Sequence, residues 1–486
     1  MSAPLSCGWP VTPRYTSAAP RSGSTAPLAW PPGASAVPER ASSRLARALA
    51  RLDETEPLVH AYVEVDRARA AAAARSVDDG DVTGPLAGRP FGVKEVFSVA
   101  GLPAAGGSSA FAAHVAADDA SVVARLRAAG AVLVGTHVSH ELTCGLDEPP
   151  TRNPWALTSY PGGSSAGGGV SVAVGSAQFA LGTDAAGSVR IPAAMCGVVG
   201  LKPTARLVST HGIVRHATAP SIDNVGILAR SVSEVAAVLA VITGPDAADA
   251  ATLWGAGAAS HASSGHSPAG GLEGRRLGVL GDATRAELDA RTPPERAVWE
   301  AFEAVCAVLA SLGAELVPVE IPALHRAPDA IFTLFSTELA AAHRHVLEGR
   351  AADYHPGVLE MLLGALATSQ SQVAEAVGFR GALSDEVLAA FAAARLDALV
   401  MPTTPRVAMP LESFDPATEL GTLIPYTCPF NLTGQPAVSV PCGFTASGLP
   451  IGLQLVGLPF QDVALLEVAA AYEQATTWHT RLPKVF

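Results

Sequence analysis

Lysine is nearly absent from this chain. Of 32 cationic residues in 486, only Lys94, Lys202 and Lys484 are lysines. Aromatic residues are also scarce, at 5% against 49% apolar overall, so the apolar mass is mostly Ala, Val and Leu. No uncharged apolar run reaches 18 residues, so no membrane span is expected. No basic tract offsets the formal net charge of −12, which argues against a nucleic-acid binder. The six cysteines (Cys7, Cys144, Cys196, Cys306, Cys428, Cys442) contain no CxxC pair. That speaks against a disulfide framework or a zinc site and fits a reducing cytoplasm. The 13 histidines form no HExxH, so neither a metal nor a cofactor is expected.

What is present reads as a large α/β chain. Residues 1–40 are rich in Ser, Pro and Ala and lack the basic start and apolar stretch of a signal peptide. They are expected to be a poorly ordered leader, with one domain over 41–486. Residues 41–75 read as helices, the first stopping before Pro57 and an Ala-rich one following it. The strand Arg89–Val96, helix Asp118–Ala129 and strand Ala131–Val134 form a βαβ unit, which implies a largely parallel sheet. Gly/Ser-rich residues 255–275 predict a surface linker, followed by strands at Arg276–Leu280 and Glu315–Val319 with a helix at Pro294–Gly313 between them. Residues 325–396 predict a helical layer near the site, and 436–457 a hairpin turning at Ser447–Gly448.

Two glycine-dense loops carry the chemistry: Tyr160–Gly169 (YPGGSSAGGG) and Leu181–Pro192 (LGTDAAGSVRIP). Pieces read as strand-like, Val170–Val174 and Gln178–Leu181, hold them in a core. Gly163–Gly167 matches the G-x-S-x-G elbow around Ser165, but the elbow needs a strand before it, and NPWALTSYPGG cannot supply one. A serine nucleophile needs a base and preorganised N–H donors. Ala185, Ala186, Gly187 and Ser188 offer four consecutive amides on small residues, with Ser188 as candidate nucleophile. Lys94 ends the apolar strand PFGVK, where burial would hold it neutral. Arginine could not serve, because it stays protonated.

These residues closely resemble the amidase signature family. The resemblance rests on Lys94 in FGVKEVF, PGGSSAGGG at 161–169 and GTDAAGSVRIPAAMCGVVGLKPT at 182–204, with 24 residues from Ser164 to Ser188. RNPW at 152–155, NLTGQPAVSVPCG at 431–443 and GLPIGLQLVG at 448–457 extend it. It implies one α/β domain with a mixed, twisted sheet between helical layers. It implies Ser188 as nucleophile, Ser164 as a bridging serine in a cis peptide, and Lys94 as base. Ser165 would support by hydrogen bonding, and Asp184 and Arg190 would brace the oxyanion loop as an ion pair. The reaction implied is hydrolysis of amides or carbamates, and of esters, through an acyl- or carbamoyl-enzyme. Ala166 and Ala186 stand where the family usually has glycine. The AAGSVRIPA version is similar to members that hydrolyse nylon oligomers and aryl carbamates.

The alternative within the resemblance is the amidase subunit of a tRNA-dependent amidotransferase, which would need partner subunits. The expected partner is a small-molecule amide or carbamate, with no nucleic acid and no membrane, in a monomer or homodimer. The pocket is expected along 139–150, 325–396 and 420–435, with Cys144, Gly145, Tyr426, Phe430, Phe332 and Phe335 as lining residues. Lys202, in GLKPT, has no role that the sequence explains.

Overall fold

The computed structural model describes residues 39–252 and 271–483. The leader at 1–40 lies outside these, save Glu39 and Arg40, as does the 255–275 linker, save Gly271–Arg275. The first helix, α1 (Ala41–Val59), buries Leu45, Leu52 and Val59 on one stripe. It does not stop before Pro57. Pro57 lies inside its last turn, and the end comes at His60, whose φ of 48° turns the chain. The Ala-rich stretch after it is also divided. Tyr62–Val65 (YVEV) forms strand β1, and α2 (Arg67–Asp78) begins only where the Asp66 side chain caps the Arg69 amide at 2.9 Å. The β-branched residues pair with a neighbouring strand instead of extending the helix.

Strand β2 (Pro90–Lys94), helix α3 (Ser121–Ala128) and strand β3 (Val132–His137) make the expected parallel crossover. The sheet as a whole is mixed. β2 also runs parallel to β4 (Phe179–Asp184), but β4 pairs antiparallel with β6 (Asn224–Ala229). β6 pairs antiparallel with β5 (Val199–Lys202), and β5 with β10 (Ala437–Phe444). β11 (Pro450–Val456) and β9 (Ala398–Pro402) continue antiparallel, and β7 (Arg276–Leu280) and β8 (Glu315–Val319) close the far edge in parallel. The order is β1-β3-β2-β4-β6-β5-β10-β11-β9-β7-β8, one 11-stranded sheet and hence one α/β domain.

Alternation along the strands divides the core between two faces. Phe91, Phe179, Leu181, Ile227, Val440 and Leu453 pack beneath α6 (Val232–Ile242) and α14 (Asp462–Gln474). Ala180 and Leu228 pack on the other face, with α4 (Ala166–Val174) and α5 (Arg190–Cys196). Val170–Val174 is therefore helical, not strand-like. The glycine run before it is the reason: a Cβ on Gly167 would strike the Ala61 carbonyl and the Val138 amide, so α4 seats against backbone. Helices α7 (Asp282–Arg291) and α8 (Arg296–Ser311) connect β7 to β8. Helices α9 (Ala327–Arg350), α10 (Pro356–Leu366) and α11 (Gln370–Ala394) form the helical layer of 325–396. Among the described residues no helix is long and apolar enough to cross a membrane. Nor do three His, Cys, Asp or Glu there gather as for a metal ion.

Candidate active site

Lys94 closes β2, fully buried, and its Nζ lies 2.7 Å from Ser164 Oγ and 3.0 Å from Thr183 Oγ1. Burial lowers the Lys94 ammonium to about 7, although Asp223, Asp184 and Glu95 pull it back up. Ser164 enters through a cis Gly163–Ser164 bond. Gly163 admits no side chain, because a Cβ there would meet the His140 ring and the Tyr160 hydroxyl. Those two groups are themselves tied: His140 Nδ1 sits 3.1 Å from Asp147 Oδ1, and Nε2 3.0 Å from the Tyr160 hydroxyl. The Ser165 amide donates to the Ser188 carbonyl at 3.1 Å and its Oγ to the Thr183 carbonyl at 3.3 Å, holding the two loops together.

The loop around Ser188 hangs on one buried ion pair. Arg190 Nη2 and Asp184 Oδ1 are 2.8 Å apart, both wholly inaccessible. Burial alone would push the Asp184 carboxyl up, yet the Arg190 guanidinium holds it far below the usual carboxylate range. Asp184 accepts from the Gly187 amide at 2.8 Å and the Val189 amide at 3.1 Å. Of the four amides expected to act together, the Gly187 N–H is committed to Asp184, while Ala185, Ala186 and Ser188 line the cleft. The remaining Arg190 donors go to Gln454 Oε1 (2.7 Å), Asn431 Oδ1 (2.6 Å) and the Thr427 carbonyl (2.9 Å). Asn431 and Gln454 were visible only as parts of the tail motifs. Their function as ligands of Arg190 arises from contacts more than 200 residues apart in sequence.

A cleft opens onto Ser164, Ala185, Ala186 and Ser188. Its walls come from Thr143, Cys144 and Gly145, from Ile331, Phe332, Phe335 and Met361, and from Ile424 with Leu420 and Leu423 of α12 (Pro416–Leu423). Among the described residues, no ionised side chain lines it. Two expected lining residues are elsewhere. Tyr426 borders a separate cavity of about 320 Å³ with Trp299 and Phe302, its hydroxyl 3.4 Å from Asp289. Phe430 is fully buried in the core, in the short helix α13 (Pro429–Leu432). Phe332 and Phe335 do reach the cleft; both are on α9, which the 3.6-residue repeat places over it.

Asp223 is a further residue that sequence reasoning missed. It is buried, raised by burial to about 6, and faces Lys94; Oδ2 accepts from the Ala219 amide at 2.7 Å while Oδ1 has no partner among the described residues. Lys202 is also fully buried, and its Nζ donates to the Pro203 carbonyl at 3.0 Å.

The amidase family model matches residues 44–466. A glutamyl-tRNA(Gln) amidotransferase subunit from Roseiflexus sp. (strain RS-1) is 37% identical, over 90% of this chain and 93% of its own length. Among solved structures, 6-aminohexanoate cyclic dimer hydrolase complexed with substrate superposes with a TM-score of 0.78 at 29% identity, over 92% of this chain and 95% of that one. The native peptide amidase of Stenotrophomonas maltophilia gives 0.75 at 32% identity, over 90% and 93%. The chain belongs to the amidase family.

Proposed function

We propose that this amidase-family member hydrolyses neutral amides or carbamates, and matched esters, by a Ser188–Ser164–Lys94 relay. The observation that carries the reading is a buried lysine lowered to about 7 and placed 2.7 Å from a serine hydroxyl at the pocket floor. Neutral Lys94 donates to Thr183 and keeps its lone pair for the Ser164 proton. Ser164 in turn takes the proton of Ser188 as Ser188 Oγ bonds to the substrate carbonyl carbon. The amides of Ala185, Ala186 and Ser188 meet the oxyanion. As the C–N bond breaks, the proton returns through Ser164 to the leaving nitrogen. Water then attacks the acyl- or carbamoyl-enzyme along the same relay and releases the acid.

The lining supports a substrate that is apolar next to its scissile bond, since a charged group would lose hydration with no counter-charge to meet it. The second reading, the amidase subunit of a tRNA-dependent amidotransferase, draws support from the 37% identity to one such enzyme's subunit. It would bring partner subunits and tRNA into play, against the expectation of no nucleic-acid partner. The uncharged lining weighs against it, because an amino-acid amide donor carries both an ammonium and a carboxylate. The test is the purified chain alone on anilides, aliphatic amides, aryl carbamates and esters, with Ser188→Ala as the blank. Turnover that Ser188→Ala abolishes is expected. No turnover without added subunits would favour the amidotransferase reading.

A further inference from the structure

The cleft has a polar atom that the relay does not use. Of the buried side-chain nitrogens and oxygens lining it, Thr143 Oγ1 is the one without a partner among the described residues. Thr143 is only 6% exposed, so water does not satisfy it from bulk. An unpaired buried hydroxyl is costly, and natural folds rarely leave one without a reason.

The backbone points the same way. Thr143 has φ of 63° and follows Leu142 at 48°. A β-branched residue in the left-handed region is a genuine outlier, and such conformations persist where surrounding contacts hold them. Here the contacts are several. The Leu142 amide donates to the Gly106 carbonyl at 2.7 Å, and the Thr143 amide to the His140 carbonyl at 3.1 Å. Just before them, the Glu141 carboxylate accepts from Ser108 Oγ at 2.5 Å and from the His355 amide at 2.7 Å. The segment is thus clamped to the start of α10 on one side and to the 106–108 loop on the other.

We infer that Thr143 Oγ1 is a specificity-determining acceptor for the N–H of the scissile amide or carbamate. The inference rests on the hydrolase reading above. Once the substrate carbonyl is held by backbone amides and its nitrogen lone pair faces Ser164, one polar group remains desolvated without a partner: the N–H. Of the other side-chain hydroxyls lining the pocket, Ser188 Oγ is spent on the carbonyl carbon in the proposed relay, and two are bonded within the protein. Ser164 is bonded to Lys94, and the Tyr160 hydroxyl to His140. Thr143, in the wall of the same cleft as Ser188, carries the hydroxyl that would supply the missing acceptor. An ester has no N–H, so Thr143 favours C–N over C–O substrates, as expected where a site is built to hydrogen-bond a group that a competitor lacks.

The test compares kcat/KM, which reports acylation, for an anilide and the phenyl ester of the same apolar acid. In Thr143→Val, which keeps the branched shape, the anilide value is expected to fall about tenfold and the ester value to change less than about twofold. Thr143→Ser, which keeps the hydroxyl, is expected to hold the wild-type ratio. Thr143→Val is expected to melt no lower than wild type, since it removes an unpaired buried hydroxyl. An unchanged anilide-to-ester ratio in an active Thr143→Val, or a lower melting temperature that marks a structural bond, overturns the inference and leaves the hydrolase reading standing. A wild type inert on both substrates overturns the hydrolase reading and this inference with it.

Discussion

Lys94 and Lys202 are two fully buried lysines in a chain whose other cations, Lys484 apart, are arginines, and both are lowered to about 7. Burial is the leading cause in each. The surroundings then differ. Lys94 faces the carboxylates of Asp223, Asp184 and Glu95 and the Cys144 thiol, and its amine touches two hydroxyls. Lys202 is further lowered by the Arg190 guanidinium and held up by Asp184 and Asp462, and its amine touches the Pro203 carbonyl. A carbonyl oxygen carries no proton to give. A perturbed lysine is therefore no sign of catalysis by itself; it acts as a base only where a hydroxyl facing the substrate is within reach. Lys202, on β5 behind the Arg190 network, lines neither that cleft nor the 320 Å³ cavity.

The largest effect that could break this comparison is on turnover. Lys94→Arg is expected to cost on the order of 10³-fold or more in kcat, because a guanidinium keeps its protons. Lys202→Met is expected to stay within about threefold of wild type. Equal losses in the two variants would show that both lysines serve the chemistry.

The next effect is on the pH profile. In the proposed relay Lys94 acts as the neutral amine, so kcat/KM is expected to rise through about pH 7 and level off above it. An anion beside an ammonium raises its pKa, so removing one lowers it. Asp223→Asn is expected to move the acid limb to lower pH, on the order of one unit. Lys202→Met is expected to leave the limb in place. A limb that moves with Lys202 and not with Asp223 would reverse the assignment.

The smallest effect is on stability. A lysine at about 7 in the folded protein and 10.5 by its ordinary value sheds its proton earlier when folded. Between those pH values the unfolded chain binds more protons, so stability rises with pH across the window. The cost of burial is fully present below about pH 7 and gone near 10.5. Melting temperature measured from about pH 6.5 to 10 is expected to climb in wild type, and less steeply in Lys202→Met or Lys94→Met. Equal slopes in wild type and in both variants would mean that neither lysine is depressed.

Local pattern made some elements readable and not others. Arg276–Leu280 and Glu315–Val319 were legible to the residue, because short apolar runs bounded by Gly, Arg and Asp have few other uses. β1 was hidden in an Ala-rich context, since YVEV becomes a strand only where β3 offers its edge. Val170–Val174 has strand propensity and is helical, because Gly167 lets α4 dock against the backbone of Ala61 and Val138. The βαβ pattern was correct for β2 and β3 and misleading for the whole sheet, where β6, β5, β10 and β11 pair antiparallel.

By itself the sequence determined the groups available: one lysine at the end of an apolar strand, two serine-bearing glycine loops, and no metal-binding pattern. That follows from side-chain proton chemistry and from spacing along the chain, which need no partner from afar. The tertiary structure alone decided which groups meet. It gave the Gly187 amide to Asp184, sent Tyr426 and Phe430 away from the cleft, brought Asn431 and Gln454 onto Arg190, and left Thr143 Oγ1 unpaired in the wall. Each of these depends on packing between segments distant in sequence, and burial, which sets the charge state of Lys94 and Lys202, exists only once those segments have closed around them.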